Sequence, residues 1–181
     1  SDLTTVKVVS SQAAGSQQNP YVIATTTDWE NFVRKMGTSA NAYGLNKFFV
    51  LAEDLDFKGA TFHHVDYFRG TFYGLGHSIQ NATISTWQYF NGSSYASLAN
   101  STHGYGVFGQ IVDATITDLL VENYSWQNMP ALLTGSANGD VGGRTCRTGG
   151  VVGASSGTDF VLNCHANGQI SSPITYTGYH V

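Results

Sequence analysis

With 181 residues, 41% of them hydrophobic and 13% aromatic, the chain is long enough for one medium-sized domain with a real core and too apolar to stay disordered. Its net charge is −4, and no Lys or Arg occurs between Arg69 and Arg144. A nucleic-acid partner or an anionic membrane surface, both of which call for clustered cations, is therefore not expected; nor is membrane insertion, since no apolar run approaches the roughly 20 residues of a span. Charged residues make up only 11% against about 25% in ordinary domains, so Ser, Thr, Asn, Gln and Gly must supply the polar surface, a mix common in secreted and cell-surface β-proteins.

Residues 1–19 are polar and Ser/Gln-rich, with a short β-like run at 6–9, and read as a leader or linker ahead of a domain over 20–181. The first regular element is a helix. Thr27 or Asp28 can cap it, Glu30 lies in its first turn, and Trp29, Phe32, Val33 and Met36 recur at three- and four-residue spacing to make one apolar face. Gly37 suits its stop. In NKFFVLAEDLDFKG, Phe48, Val50 and Ala52 alternate, then Leu55 and Phe57 do so, which predicts a strand that changes face near Glu53. From Phe68 onward charge is sparse and the pattern is β-like with glycine punctuation. The segment FRGTFYGLGHSIQNATI has the glycine density of a phosphate loop, but its glycines lead into alternating strand residues rather than a helix, and no Lys-Ser/Thr follows.

Three later segments superpose: HSIQNATIS, ATITDLLVEN and DFVLNCHANG. Ile79, Ile116 and Val161 then align, as do Asn81, Asp118 and Asn163. The spacings are unequal. The physics fits a parallel β-helix, in which inward Ile, Val, Leu and Cys stack between coils while Gly or Asn turns the corners. Gly70, Gly74 and Gly76 would be corner residues, and Asn81, Asp118 and Asn163 would form one corner ladder. Long insertions are expected at 85–104 and 124–143.

GGVVGASSGTDFVLNCHANGQIS resembles the GLUG-type repeat, and FRGTFYGLGHSIQNATI resembles the element that precedes such repeats. The helix and FFVLAEDLDFKG resemble the usual lead-in, so the likeness covers roughly residues 20–172. Tyr73 and Leu75 depart from it, standing where Asp and Asn are common. The resemblance implies a right-handed parallel β-helix with an N-terminal capping helix. It also implies a bacterial surface or secreted chain, as in large adhesins and the non-catalytic N-terminal parts of immunoglobulin A peptidases. It specifies a coil and not a chemistry.

Candidate sites are few. Glu53, Asp54 and Asp56 could serve glycoside hydrolysis, although they belong to the lead-in strand and more simply cap a coil. His63, His64 and Asp66 are close in sequence, but adjacent strand residues face opposite ways and no third metal ligand is evident. Trp87, Tyr89, Phe90 and Tyr95 in the first insertion and Trp126 in the second offer stacking surface for a sugar or a protein. Cys146 and Cys164 could pair, or serve as one buried thiol and one loop cysteine. The expected function is a non-catalytic adhesion or interaction module at the cell surface, without metal or cofactor, whose partner is a host glycan or an extracellular protein. The alternatives are a carbohydrate-active enzyme and a structural spacer. The segment SSPITYTGYHV carries no capping element, so a longer chain with neighbouring domains, or self-association through that end, is expected.

Overall fold

The computed structural model describes residues 13–37, 43–98, 104–128 and 147–171. Among them α1 (Thr26–Met36) is the single helix, and the rest of the regular structure is β. Thr25, not Thr27, caps the helix. Its hydroxyl accepts the Asp28 N–H at 3.0 Å, while the Asp28 carboxylate accepts the N–H groups of Ala24 and Thr25, both at 3.0 Å. Asp28 is thus the reciprocal partner of a capping box rather than the cap. The apolar face is the one its spacing predicts: Trp29, Phe32, Val33 and Met36 are all buried, and Gly37 ends the helix at φ 59°.

One sheet runs in the order β1 (Tyr21–Ile23), β2 (Phe48–Leu51), β5 (Thr71–Tyr73), β11 (Thr115–Thr117), β14 (Phe160–Leu162). A second has β13 (Val152–Ser156), β10 (Phe108–Val112) and β4 (Val65–Phe68). A third has β15 (His165–Ile170), β12 (Leu120–Trp126), β6 (Ser78–Gln80) and β3 (Leu55–Asp56), with β7 (Thr83–Ile84) also on β12. Pairing in all three is parallel. The remaining strands, β8 (Gln88–Phe90) and β9 (Tyr95–Ser97), form an antiparallel ribbon.

This corrects the expectation of a right-handed parallel β-helix. The strands fall into separate sheets, parallel and antiparallel, with a helix packed among them, rather than one regular winding. Unequal segment lengths, a helix and a ribbon interrupt what even spacing would have made uniform. The coarser expectation of a predominantly β chain is what these elements give.

Register bears out the alignment of the second and third segments and corrects that of the first. Ile116 lies opposite Phe72 and Val161, whereas Ile79 lies opposite Leu55 and Val121. Ile79 and Ile116 therefore belong to different sheets. In β2 the inward side chains are Phe49 and Leu51, one residue out of phase with the predicted face; Phe48 stacks outside on Tyr73 at 6.2 Å. Leu55 and Phe57 are buried as their alternation predicts. The core is mainly aromatic. Trp29 stacks on Phe62 and meets Phe72 and Phe108 edge-on, while Phe32 touches Phe49, Phe68, Phe72 and Phe108. At the other edge of the sheets, Phe160, Val161, Leu162 and Ile170 stay exposed.

In the glycine-rich segment Gly70 turns the chain between β4 and β5, Gly74 and Gly76 turn it between β5 and β6, and Gly70 and Gly74 answer to space rather than conformation. A Cβ on Gly70 would lie 2.6 Å from the carbonyl oxygen of Gly44, and one on Gly74 would lie 2.4 Å from that of Asp118. Gly76 is at φ 80° and Leu75 at φ 55°, where Leu is strained and 58% exposed. Gly74→Ala is expected to cost more than about 2 kcal/mol, because backbone must move. Leu75→Asn should gain about 0.5–1 kcal/mol by relieving left-handed strain. Urea unfolding of the two variants checks both, and equal effects would refute the close approach at Gly74.

Candidate functional site

The first insertion is the β8–β9 ribbon. Its turn is closed by Asn91, whose side-chain oxygen accepts the N–H groups of Ser93 (3.0 Å) and Ser94 (2.9 Å), with Gly92 at φ 103°. The ribbon is rooted by Trp87 and Leu98, both buried. Trp87 donates its indole N–H to the Gln127 carbonyl at 2.7 Å and packs edge-on against His64, Tyr105 and Trp126. Trp126 ends β12, fully buried between Phe62 and Tyr124, and donates to the Gly149 carbonyl at 3.1 Å. Neither tryptophan offers a ring face to a ligand, which corrects that part of the expected binding surface. The cause is energetic: an indole with an internal partner for its N–H is a large core-filling group. Tyr89 and Tyr95 remain half-buried on the ribbon.

Tyr95 turns toward the helix and closes a four-residue cluster. Its hydroxyl donates to Glu30 Oε1; His63 Nδ1 lies 3.0 Å from Glu30 Oε2, and Arg34 Nε lies 3.4 Å from Oε1. The His63 and Tyr95 rings stack at 3.8 Å and 9°, and the Arg34 guanidinium lies 5.8 Å from the Phe90 ring centre. Partial burial pushes the Glu30 carboxyl up. The hydrogen bonds of Tyr95 and His63, with the charges of His63 and Arg34, outweigh it and hold the group below its ordinary 4.5. Burial, then the bond to Glu30, pushes the Tyr95 phenol up. The cluster thus latches the ribbon to α1 through one ionised carboxylate.

The predicted carboxylates and ladder residues serve corners. Asp54 Oδ1 accepts the Ser78 N–H at 2.9 Å and meets His77 Nδ1 at 3.2 Å, and the Ser78 bond is the main reason its carboxyl is held low. Asp56 Oδ1 accepts from Asn81 Nδ2 (2.8 Å) and the Lys58 N–H (2.9 Å), and the Asn81 bond leads in lowering that carboxyl. Glu53 is exposed. Instead of one ladder there are two columns. In one, Asn163 donates to Asp118 at 2.6 Å. In the other, Asn81 donates to Asp56 and accepts from Asn123 at 2.7 Å, while the Asn123 N–H donates to Asn167 Oδ1 at 2.8 Å.

His63 faces Glu30, whereas His64 is buried against Trp87 and Asp66 is buried beside it in sequence, so the three do not converge. Among the described residues no three His, Cys, Asp or Glu side chains form a metal-holding group. Cys164 is half-buried, its thiol pushed up mainly by burial; the other half of the predicted pairing, Cys146, lies outside the described residues.

No protein-family model, curated protein or solved structure matches the chain. Of the latch, only Glu30 and Arg34 are paired visibly in the sequence, at i, i+4 on a helix. His63 and Tyr95 reach them from other elements, and no spacing announces that.

Tyr95→Phe and Glu30→Ala should each cost about 1–2 kcal/mol, and the double variant little more than either, because both remove one shared bond. A lowered folded-state pKa means that Glu30 contributes fully above its ordinary 4.5 and loses that contribution as pH falls through the lower folded value. Urea unfolding at neutral and acid pH should therefore show a smaller acid loss in Glu30→Gln than in the parent. An unchanged acid loss would remove the latch.

Proposed function

We propose that the chain is a non-catalytic interaction module, adhesive in role, of a secreted or wall-attached bacterial protein, and that the β8–β9 ribbon forms part of its contact surface. The observation that carries this reading is the latch. The ribbon lies outside the three parallel sheets, yet Glu30, His63 and Tyr95 fix it to α1. A side element held this firmly loses little entropy when a partner docks, which is where affinity from preorganisation arises. Tyr89 and Phe90 supply aromatic contact area on it with few rotatable bonds. The GLUG-type likeness supports surface placement in a bacterium.

The carbohydrate-active enzyme is the weaker reading. Asp54 and Asp56 hold corner bonds that lower both carboxyls, whereas a general acid needs a raised one.

The test is an array of glycans and host extracellular proteins, probed with the full chain and with Tyr89→Ala and Phe90→Ala. Saturable binding, weakened at least about tenfold in those variants, is the expected outcome. Silence on every spot would leave a structural spacer, and turnover abolished by Asp54→Asn would restore the enzyme.

A further inference from the structure

A second surface, distant in sequence from the ribbon, carries the features of a ligand site. The edge strand β1 and helix α1 enclose a groove of about 180 Å³ between Tyr21 and Val22 on the strand, Asn31 and Lys35 on the helix, and Tyr43, with Phe49 behind them. Pockets for drug-sized molecules run roughly 300–1,000 Å³, so this one accepts a single ring.

Its chemistry is mixed in a specific way. The Tyr21 and Tyr43 rings lie 6.2 Å apart, tilted by 30°, and Tyr21 is held by stacking on Phe49 at 5.5 Å. A hydrogen bond with Tyr21, with burial, pushes the Tyr43 phenol up to about 12, so Tyr43 stays protonated. The Ile23 carbonyl accepts from the Ala52 N–H at 2.8 Å, so the polar groups of Ile23 face β2. Backbone groups alternate along a strand, which turns the N–H and C=O of Val22 to the side where no strand pairs with β1 among the described residues. Asn31 and Lys35 stand one helical turn apart at the exposed rim, with Lys35 Nζ 5.4 Å from the Tyr43 ring centre.

An added peptide strand fits poorly here. β1 has three residues; Pro20 before it has no N–H, and the Ala24 N–H after it is taken by Asp28. A compact ring with one apolar face and several hydroxyls fits well. Aromatic rings take the C–H face, while an amide, an ammonium and a backbone pair take the hydroxyls.

We propose that the groove between β1 and α1 is a binding site for one pyranose ring of a glycan, stacked against Tyr21 and Tyr43 and hydrogen-bonded by Asn31, Lys35 and the Val22 backbone. This rests on the interaction-module reading for its role and not for its chemistry.

The experiment is saturation-transfer NMR and titration of the full chain with a panel of methyl pyranosides: hexoses, N-acetylhexosamines and uronic acids. One ring should bind with a Kd of about millimolar order. Tyr43→Ala and the surface variant Asn31→Ala should each weaken it at least about tenfold, and Tyr89→Ala should leave it unchanged. Should Tyr43→Ala fail to fold, Asn31→Ala and Lys35→Gln carry the test. Saturation transfer from no pyranoside, or transfer that persists at full strength in all three groove variants, would overturn the site. Protein partners on the array with no pyranoside binding would sink this site and leave the interaction module standing, whereas silence in both assays would end both.

Discussion

The strands of the three parallel sheets are short, and the structure depends on how the chain leaves one sheet for the next. At three of these corners stands a residue at positive φ, Asp113, Asp118 and Asn163, and Asn81 between β6 and β7 and Asn123 at the irregularity inside β12 share the conformation, all between 49° and 56°. Asn and Asp tolerate this conformation best among residues with side chains. Their side chains also close the corner on the neighbouring level, as Asn163 does on Asp118 and Asn123 on Asn81. A chain with few charges can therefore satisfy its turning backbone without Lys or Arg. Gly74, level with Asp118, answers to a different demand: a Cβ there would lie 2.4 Å from the Asp118 carbonyl oxygen, so the backbones meet too closely for a side chain.

Inside the corners the core is aromatic rather than aliphatic. Single strands of two to seven residues present few inward positions each, so large rings fill the interior with fewer side chains. The helix adds to this. Its Trp29 and Phe32 reach rings on four strands: Phe49 on β2, Phe68 on β4, Phe72 on β5 and Phe108 on β10. Each of the three tryptophans donates its indole N–H to a backbone carbonyl, at His63, Gln127 and Gly149. Those bonds tie segments far apart in sequence at points where the ladders do not, and they keep the tryptophans from the surface.

What the sequence made legible was local. The helical face, the burial of Leu55 and Phe57 and the turn at Gly74 and Gly76 follow from spacing and from the demands of backbone conformation. The phase of β2 did not, because Phe48 and Phe49 are adjacent and equally apolar, and only the partner strand decides which faces inward. The repeat alignment held for its second and third segments, where Ile116 lies opposite Val161, and failed for the first for a similar reason. Ile79 and Ile116 sit in like patterns, Ile-x-Asn and Ile-x-Asp, at corners of different sheets, so likeness of motif did not mean likeness of place. Exposure of Trp87 and Trp126 was inferred from polar neighbours, whereas burial was set by contacts with Tyr105, Phe62 and Tyr124 that no local pattern carries. The latch escaped for the same reason: His63 and Tyr95 meet Glu30 only through the fold.

The distribution of polar groups then narrows what this chain can do. Asp54, Asp56, Asp118 and Glu30 each hold a structural bond, and the carboxyls of Asp54, Asp56 and Glu30 sit low, ionised and engaged. Proton transfer needs a group poised near its working pH, and engaged carboxylates with lowered values are poised for holding instead. Recognition makes no such demand. It needs fixed surfaces with aromatic area and a few hydrogen-bonding groups, and the two surfaces proposed for it are the latched ribbon and the groove between α1 and β1. Both border α1. The face of α1 opposite its buried stripe carries Glu30 and Arg34 toward the ribbon and Asn31 and Lys35 toward the groove, so a single amphipathic element anchors the core and organises both surfaces.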